Sequence, residues 1–126
     1  MNLRLVLASI VLLGLAACGS NYSGSTPTSP STGGTNTQGS PISITSGASL
    51  KTNTAFSPNP IVISAGGTVT WTNNDNTSHT STADDGSWNS GSIAPGSQFS
   101  RTFASTGSFT YHCAIHPGMV GTVTVQ

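Results

Sequence analysis

In Thr68-Val69-Thr70-Trp71-Thr72, Val69 and Trp71 fall on one parity and three threonines on the other. An extended chain with that pattern buries one face and wets the other, which a helix of 3.6 residues per turn cannot do. The period recurs in Ser108-Phe109-Thr110-Tyr111-His112-Cys113, where Phe109, Tyr111 and Cys113 share a face. It recurs again where Met119, Val123 and Val125 oppose Thr122 and Thr124. Shorter candidate strands lie at 42–45, 61–64, 78–83 and 98–103, and no window of a dozen residues offers a helical apolar stripe. Pro58-Asn59-Pro60, Ala65-Gly66-Gly67, Asp84-Asp85-Gly86, Pro95-Gly96 and Thr106-Gly107 punctuate these runs as turns. Seven or eight short strands so spaced predict an all-β fold, a two-sheet β-sandwich with Greek-key connections over residues 41–126. Arg101 shares its parity with Phe99 and Phe103, so the sequence demands either a side chain snorkelling at a sheet margin or a bulge.

The amino-terminal third reads differently. A single positive charge precedes a short apolar run over residues 5–15, then small residues and Leu15-Ala16-Ala17-Cys18. The run is too short to span a ~30 Å hydrocarbon core comfortably. The final string resembles the lipobox of bacterial lipoproteins. That resemblance implies a signal peptide over residues 1–17, cleavage before Cys18 and lipidation of its sulfur. An ordinary secretory peptide with an incidental cysteine is the simpler alternative. Of residues 19–40, eighteen of 22 are Ser, Thr, Gly or Pro and none is charged, a composition that reads as a flexible tether. The expectation is an exported protein held on the periplasmic side of a membrane. Gly19 rather than Asp after Cys18 points to the outer membrane.

Charge excludes other classes. Three basic and three acidic residues leave no basic patch for nucleic acid, and the domain reads as a monomer. The two cysteines build no disulfide framework, and lipidation of Cys18 would remove it from pairing.

The residues that carry chemistry are concentrated near the carboxyl end. Cys113, His116 and Met119 fall within seven positions, and His79 follows a turn upstream. One thiolate, two imidazoles and one thioether match the His₂Cys site with a weak axial Met that binds copper for electron transfer. The thiolate favours Cu(I) yet tolerates Cu(II), imidazole serves both states, and a long thioether bond suits a geometry between their preferences. Pro117-Gly118 turns the chain between Cys113 and Met119, so one hairpin loop supplies three donors and His79 must arrive from a neighbouring strand. Alternation puts His112 on the face opposite Cys113, which excludes it as a ligand. Zinc accepts the same cysteine and histidines and is the metallic competitor.

Across residues 54–126 the chain resembles the cupredoxins of the plastocyanin, amicyanin and pseudoazurin branch. The resemblance rests on Phe56-x-Pro58, Ile61-Val62-Ile63, the strand Gly67 to Asn73 and Tyr111-His112-Cys113-x-x-His116-Pro117-x-Met119. It implies His79, Cys113, His116 and Met119 as ligands of one type 1 copper ion. It also implies electron exit through the edge of His116, on a face extended by Pro58 and Ile93-Ala94-Pro95. The family often has Pro before and Asn after the first ligand histidine, and that Asn ties the ligand loops together. Here Ser78 and Thr80 stand in those positions, leaving the Thr80 hydroxyl to make the tie.

The reading is therefore a membrane-tethered, one-electron Cu(I)/Cu(II) carrier meeting redox partner proteins transiently, and not an enzyme. Cys113 and His116 lack a third orienting group for nucleophilic catalysis, and Met119 closes the position a catalytic metal needs open. The alternatives are a periplasmic protein that handles and donates Cu(I), or a structural metal-binding surface lipoprotein. Trp71 and Trp88 read as packing residues.

Overall fold

The computed structural model describes residues 39–126. The expected signal peptide, Cys18 and all of the tether before Gly39 lie outside these residues. Within them the chain is all-β: eight strands in two four-stranded sheets, with one short 3-10 turn at Ala48–Leu50. The strands are β1 Ser40–Ile44, β2 Phe56–Ser57, β3 Ile61–Ile63, β4 Gly67–Asn73, β5 Thr82–Ala83, β6 Gln98–Phe103, β7 Gly107–His112 and β8 Val120–Val125. The first sheet has the order β2-β1-β4-β6 and the second β3-β8-β7-β5. The pairs β1/β4 and β3/β8 are parallel; the other pairs within the sheets are antiparallel.

Parity decides what each sheet buries. Ile42 and Ile44 on β1, Val69 and Trp71 on β4, Tyr111 on β7 and Val123 and Val125 on β8 all point inward. Trp71 and Tyr111 meet edge-on across the two sheets, with centroids 5.5 Å apart at 86°, and Phe56 packs on the other side of Tyr111 at 4.8 Å. Such pairs contribute about 0.5–1.5 kcal/mol beyond their buried area. Trp88 joins the same cluster 6.3 Å from Trp71 and 5.4 Å from Phe103, so both tryptophans pack as expected.

Outward, hydroxyls pair across strands: Thr68 with Thr102 and Thr70 with Ser100 at 2.8 Å, while Gln98 Nε2–H donates to Thr72 at 3.0 Å. Cross-strand threonine and serine pairs stabilise a wet face without charge.

Three expectations are refined. Strand β1 starts at Ser40, a residue assigned to the tether, because Ser40 pairs with Val69. The strand expected over 78–83 shortens to β5, and His79 instead forms an isolated bridge with Ile93. No bulge surrounds Arg101. The register runs unbroken from Gly67↔Phe103 to Thr72↔Gln98, and the guanidinium lies 4.7 Å over the Trp88 ring and donates to the Ser87 carbonyl at 3.1 Å. The snorkelling alternative therefore holds, with a cation–π contact added.

Gly121 fills the inward position between Met119 and Val123 where a side chain would be expected. It pairs with Tyr111, and a Cβ there would collide with the Tyr111 ring and hydroxyl. The phenol occupies that space, and burial raises its pKa above the ordinary value. Gly121→Ala is expected to destabilise the fold by about 1–3 kcal/mol by displacing Tyr111. A lowered urea midpoint with an unchanged m-value checks this; an unchanged midpoint would contradict the packing described.

Candidate metal centre

Cys113 sits one residue beyond β7, fully buried, as a free thiol. The loop from Cys113 to Met119 is closed by two backbone bonds: Cys113 N–H to the Met119 carbonyl and Met119 N–H to the His116 carbonyl, each 3.0 Å. Closure this tight turns His116 back toward the sulfur, with its Nδ1 3.9 Å from Cys113 Sγ. His79 arrives from the segment between β4 and β5, where Ile93 pairs with its backbone in both directions at 2.8 and 3.2 Å. Its Nδ1 lies 3.8 Å from the sulfur and 3.2 Å from His116 Nδ1. Thus three of the four predicted donors gather within 4.8 Å. A point equidistant from atoms so separated lies about 2.1 Å from each, the length of a metal–nitrogen bond and near that of metal–sulfur. The donor set and its spacing therefore fit a single ion. Met119 is fully buried at the end of the loop, its backbone locked to Cys113. His112 turns away, as alternation requires, and pairs with Asp84 at 2.6 Å.

The orientation of His79 comes from a residue the sequence reading missed. Asp75 Oδ2 accepts the His79 Nε2–H at 2.8 Å, which leaves Nδ1 to present its lone pair to the cluster. The same carboxylate accepts the backbone N–H groups of Gly47 at 2.9 Å, Ala48 at 3.2 Å and Asn76 at 2.9 Å, and the Thr77 hydroxyl at 3.3 Å. The Gly47 amide, then His79 and Asn76, hold its pKa well below the usual carboxylate range, so it stays ionised. Asn73, also fully buried, accepts the Asp75 N–H and donates to the Thr77 and Ile93 carbonyls, fixing the curve of the segment. The available signal was scarcity. Of three acidic residues, Asp75 alone lies outside the Asp84-Asp85 turn, four positions before a candidate ligand.

Thr80 makes the tie that the family resemblance assigns to asparagine. Its hydroxyl accepts the Ala114 N–H at 2.8 Å, and its own backbone N–H reaches Cys113 Sγ at 3.3 Å. The ring of His116 is half-buried, and around this end lie exposed Ala114, Ile115, Pro117 and Val120. Asn59 Nδ2–H donates to the Val120 carbonyl at 3.0 Å, which brings the Pro58 loop alongside.

A two-sheet sandwich with a buried thiol and two imidazoles converging at one end is the architecture of a cupredoxin. The profile of copper binding proteins, plastocyanin/azurin family, matches residues 43–126, and the chain belongs to that family. A plastocyanin from Scenedesmus fuscus is 37% identical over 84 residues, covering 56% of this chain and 86% of its own. The solved structure of a novel purple cupredoxin from Nitrosopumilus maritimus is 34% identical with a TM-score of 0.64, covering 69% of this chain and 99% of its own. A reduced Cu(I) form of an amicyanin variant shares the fold at 23% identity and a TM-score of 0.59, over 71% and 83% of the two chains. Copper is the cofactor the family and the donor cluster together define.

Asp75→Asn removes the charge that fixes the His79 tautomer while keeping the shape. Metal affinity is expected to fall about 10–100-fold, read by competition against a chelator of known affinity. Unchanged affinity would mean that the carboxylate serves the loop alone.

Proposed function

We propose that this protein is a type 1 copper electron carrier in which His79, Cys113, His116 and Met119 are the ligands. The observation that carries the reading is the convergence of one sulfur and two imidazole nitrogens within 4.8 Å at a buried position. Bound there, copper supplies a Cu(I)/Cu(II) couple for one-electron exchange. The protein holds the donors where both oxidation states tolerate them. The sulfur is fully buried and met by the Thr80 N–H, His79 is fixed by Asp75, and the loop is closed by its own backbone bonds. Met119, fully buried at the end of the same loop, would supply a thioether as the fourth donor, and a site completed in that way favours a carrier over an enzyme.

His116 is the exit. It is the least buried of the three clustered donors, on an end that carries exposed Ile115 and Val120 and no charged side chain between Cys113 and Met119. Such a surface suits brief encounters with redox partner proteins, since small uncharged interfaces release quickly. The leader and tether read from the sequence extend the proposal. The protein is exported, lipidated at Cys18 and anchored on the periplasmic side of a membrane, with the domain working as a monomer. Among the described residues no helix is long and apolar enough to cross a membrane.

Two measurements test the reading. Cu(II) added to the purified protein is expected to give an intense thiolate-to-copper absorption that Cys113→Ser abolishes, together with a reversible one-electron wave. Tight binding without either feature would indicate a structural or zinc site, and a protein that binds and readily gives up only Cu(I) would be a donor. Electron exchange with a small neutral-faced redox protein is expected to change less than about twofold between 0.01 and 1 M salt, although the Debye length falls from ~30 to ~3 Å. A steep salt dependence would place docking on a charged region instead.

A further inference from the structure

Thr80 holds the ligand loop at two points, and its side chain cannot do so alone. Its backbone N–H meets the Cys113 sulfur whatever the side chain, while its Oγ1 accepts the Ala114 N–H. A side-chain amide carbonyl in that position would accept and be finished. A hydroxyl is both acceptor and donor, and Thr80 is 6% exposed, so its proton needs an acceptor inside the protein. Thr82 Oγ1 lies 2.9 Å away. Beyond it, Asn89 Oδ1 stands at 3.5 Å from Thr82 Oγ1, a long contact, and also accepts the Gly91 N–H at 2.8 Å. Because a backbone N–H only donates, the Asn89 atom facing it is the oxygen and not the amide nitrogen. An acceptor at the far end orients the whole series: Ala114 N–H to Thr80, Thr80 O–H to Thr82, Thr82 O–H to Asn89.

The scaffold keeps the spacing of this series. Thr82 is held on both sides, paired with His112 in β7 and bridged to Asn89. The two hydroxyls sit two residues apart on a short extended segment, so they share a face. Hydrogen bonds in series polarise one another, so the Ala114 bond draws strength from groups that never approach the sulfur.

We propose that Thr80, Thr82 and Asn89 form a directional hydroxyl relay that positions the Cys113 loop, with Thr80 as the positioning residue and Thr82 as its support. Its relevance to electron transfer rests on the copper reading above, but the relay itself belongs to the metal-free chain and is tested there.

The experiment measures exchange of the Ala114 amide by NMR in the metal-free full chain. It also measures the alkylation rate of Cys113, followed on its own peptide by mass so that Cys18 does not interfere. Thr80→Val is expected to speed Ala114 exchange about fivefold or more, the scale of one lost hydrogen bond, and to speed Cys113 alkylation. Thr80→Ser restores both. Thr82→Val, a near-isosteric change at a half-buried position away from the loop, keeps the test open should Thr80→Val fail to fold, and is expected to give a smaller increase in the same direction. After Cu(II) loading, Thr80→Val shifts the thiolate-to-copper band and Thr80→Ser returns it. The proposal is overturned if Thr80→Val leaves Ala114 exchange at the wild-type rate, if Thr80→Ser behaves as Thr80→Val, or if Thr82→Val matches wild type. A wild-type protein lacking the band would overturn the carrier reading, while the exchange ratios would still decide the relay.

Discussion

A carboxylate removed from water must be met by donors wherever the chain carries it, and Asp75 is met from three directions. Gly47 and Ala48 reach it from the turn after β1, Asn76 and Thr77 from its own segment, and His79 from the centre. Removing one partner from such a group leaves a buried charge short of partners, which costs far more than one bond between neutral groups contributes. The segment between β4 and β5 is therefore pinned to the first sheet. The second sheet carries Cys113 at the end of β7, and the cluster forms where these two requirements coincide.

The aromatic core gives that meeting point a fixed frame. Tyr111 lies two residues before Cys113 on β7 and is clamped by Phe56, Trp71 and the space left by Gly121. A strand so clamped cannot slide, and register along β7 and β8 sets where the loop closes. Packing in the middle of the sandwich and geometry at its end are one problem, because interiors at crystal-like density transmit displacement and do not absorb it.

Much of this was legible in the sequence because a period of two leaves a clear trace. The inward sets on β4, β7 and β8 follow from alternation alone, and β6 spans the predicted residues. Arg101 was visible as an anomaly, but choosing between its two explanations required Trp88, whose position over β6 is a matter of tertiary packing. The residues over 78–83 were harder. Their serines and threonines alternate with little apolar contrast, and the pairing of His79 with Ile93 is made across a loop. Among the proposed ligands, Cys113, His116 and Met119 could be read from spacing because one short loop carries them. Asp75 could not, since its role depends on amides 27 and 28 positions away. Gly121 was a gap in a pattern whose reason lies on the next strand.

The paired hydroxyls on the outside of the first sheet bear on how such a domain behaves in a crowded compartment. Thr68, Thr70 and Thr72 each have a partner on β6, so much of their bonding capacity is already engaged. A flank that is hydrated, uncharged and internally engaged offers neighbours little to grip. The exposed large apolar side chains, Leu50, Val62, Ile115 and Val120, all lie off β4 and β6, so an encounter that begins on the flank has little to hold it there.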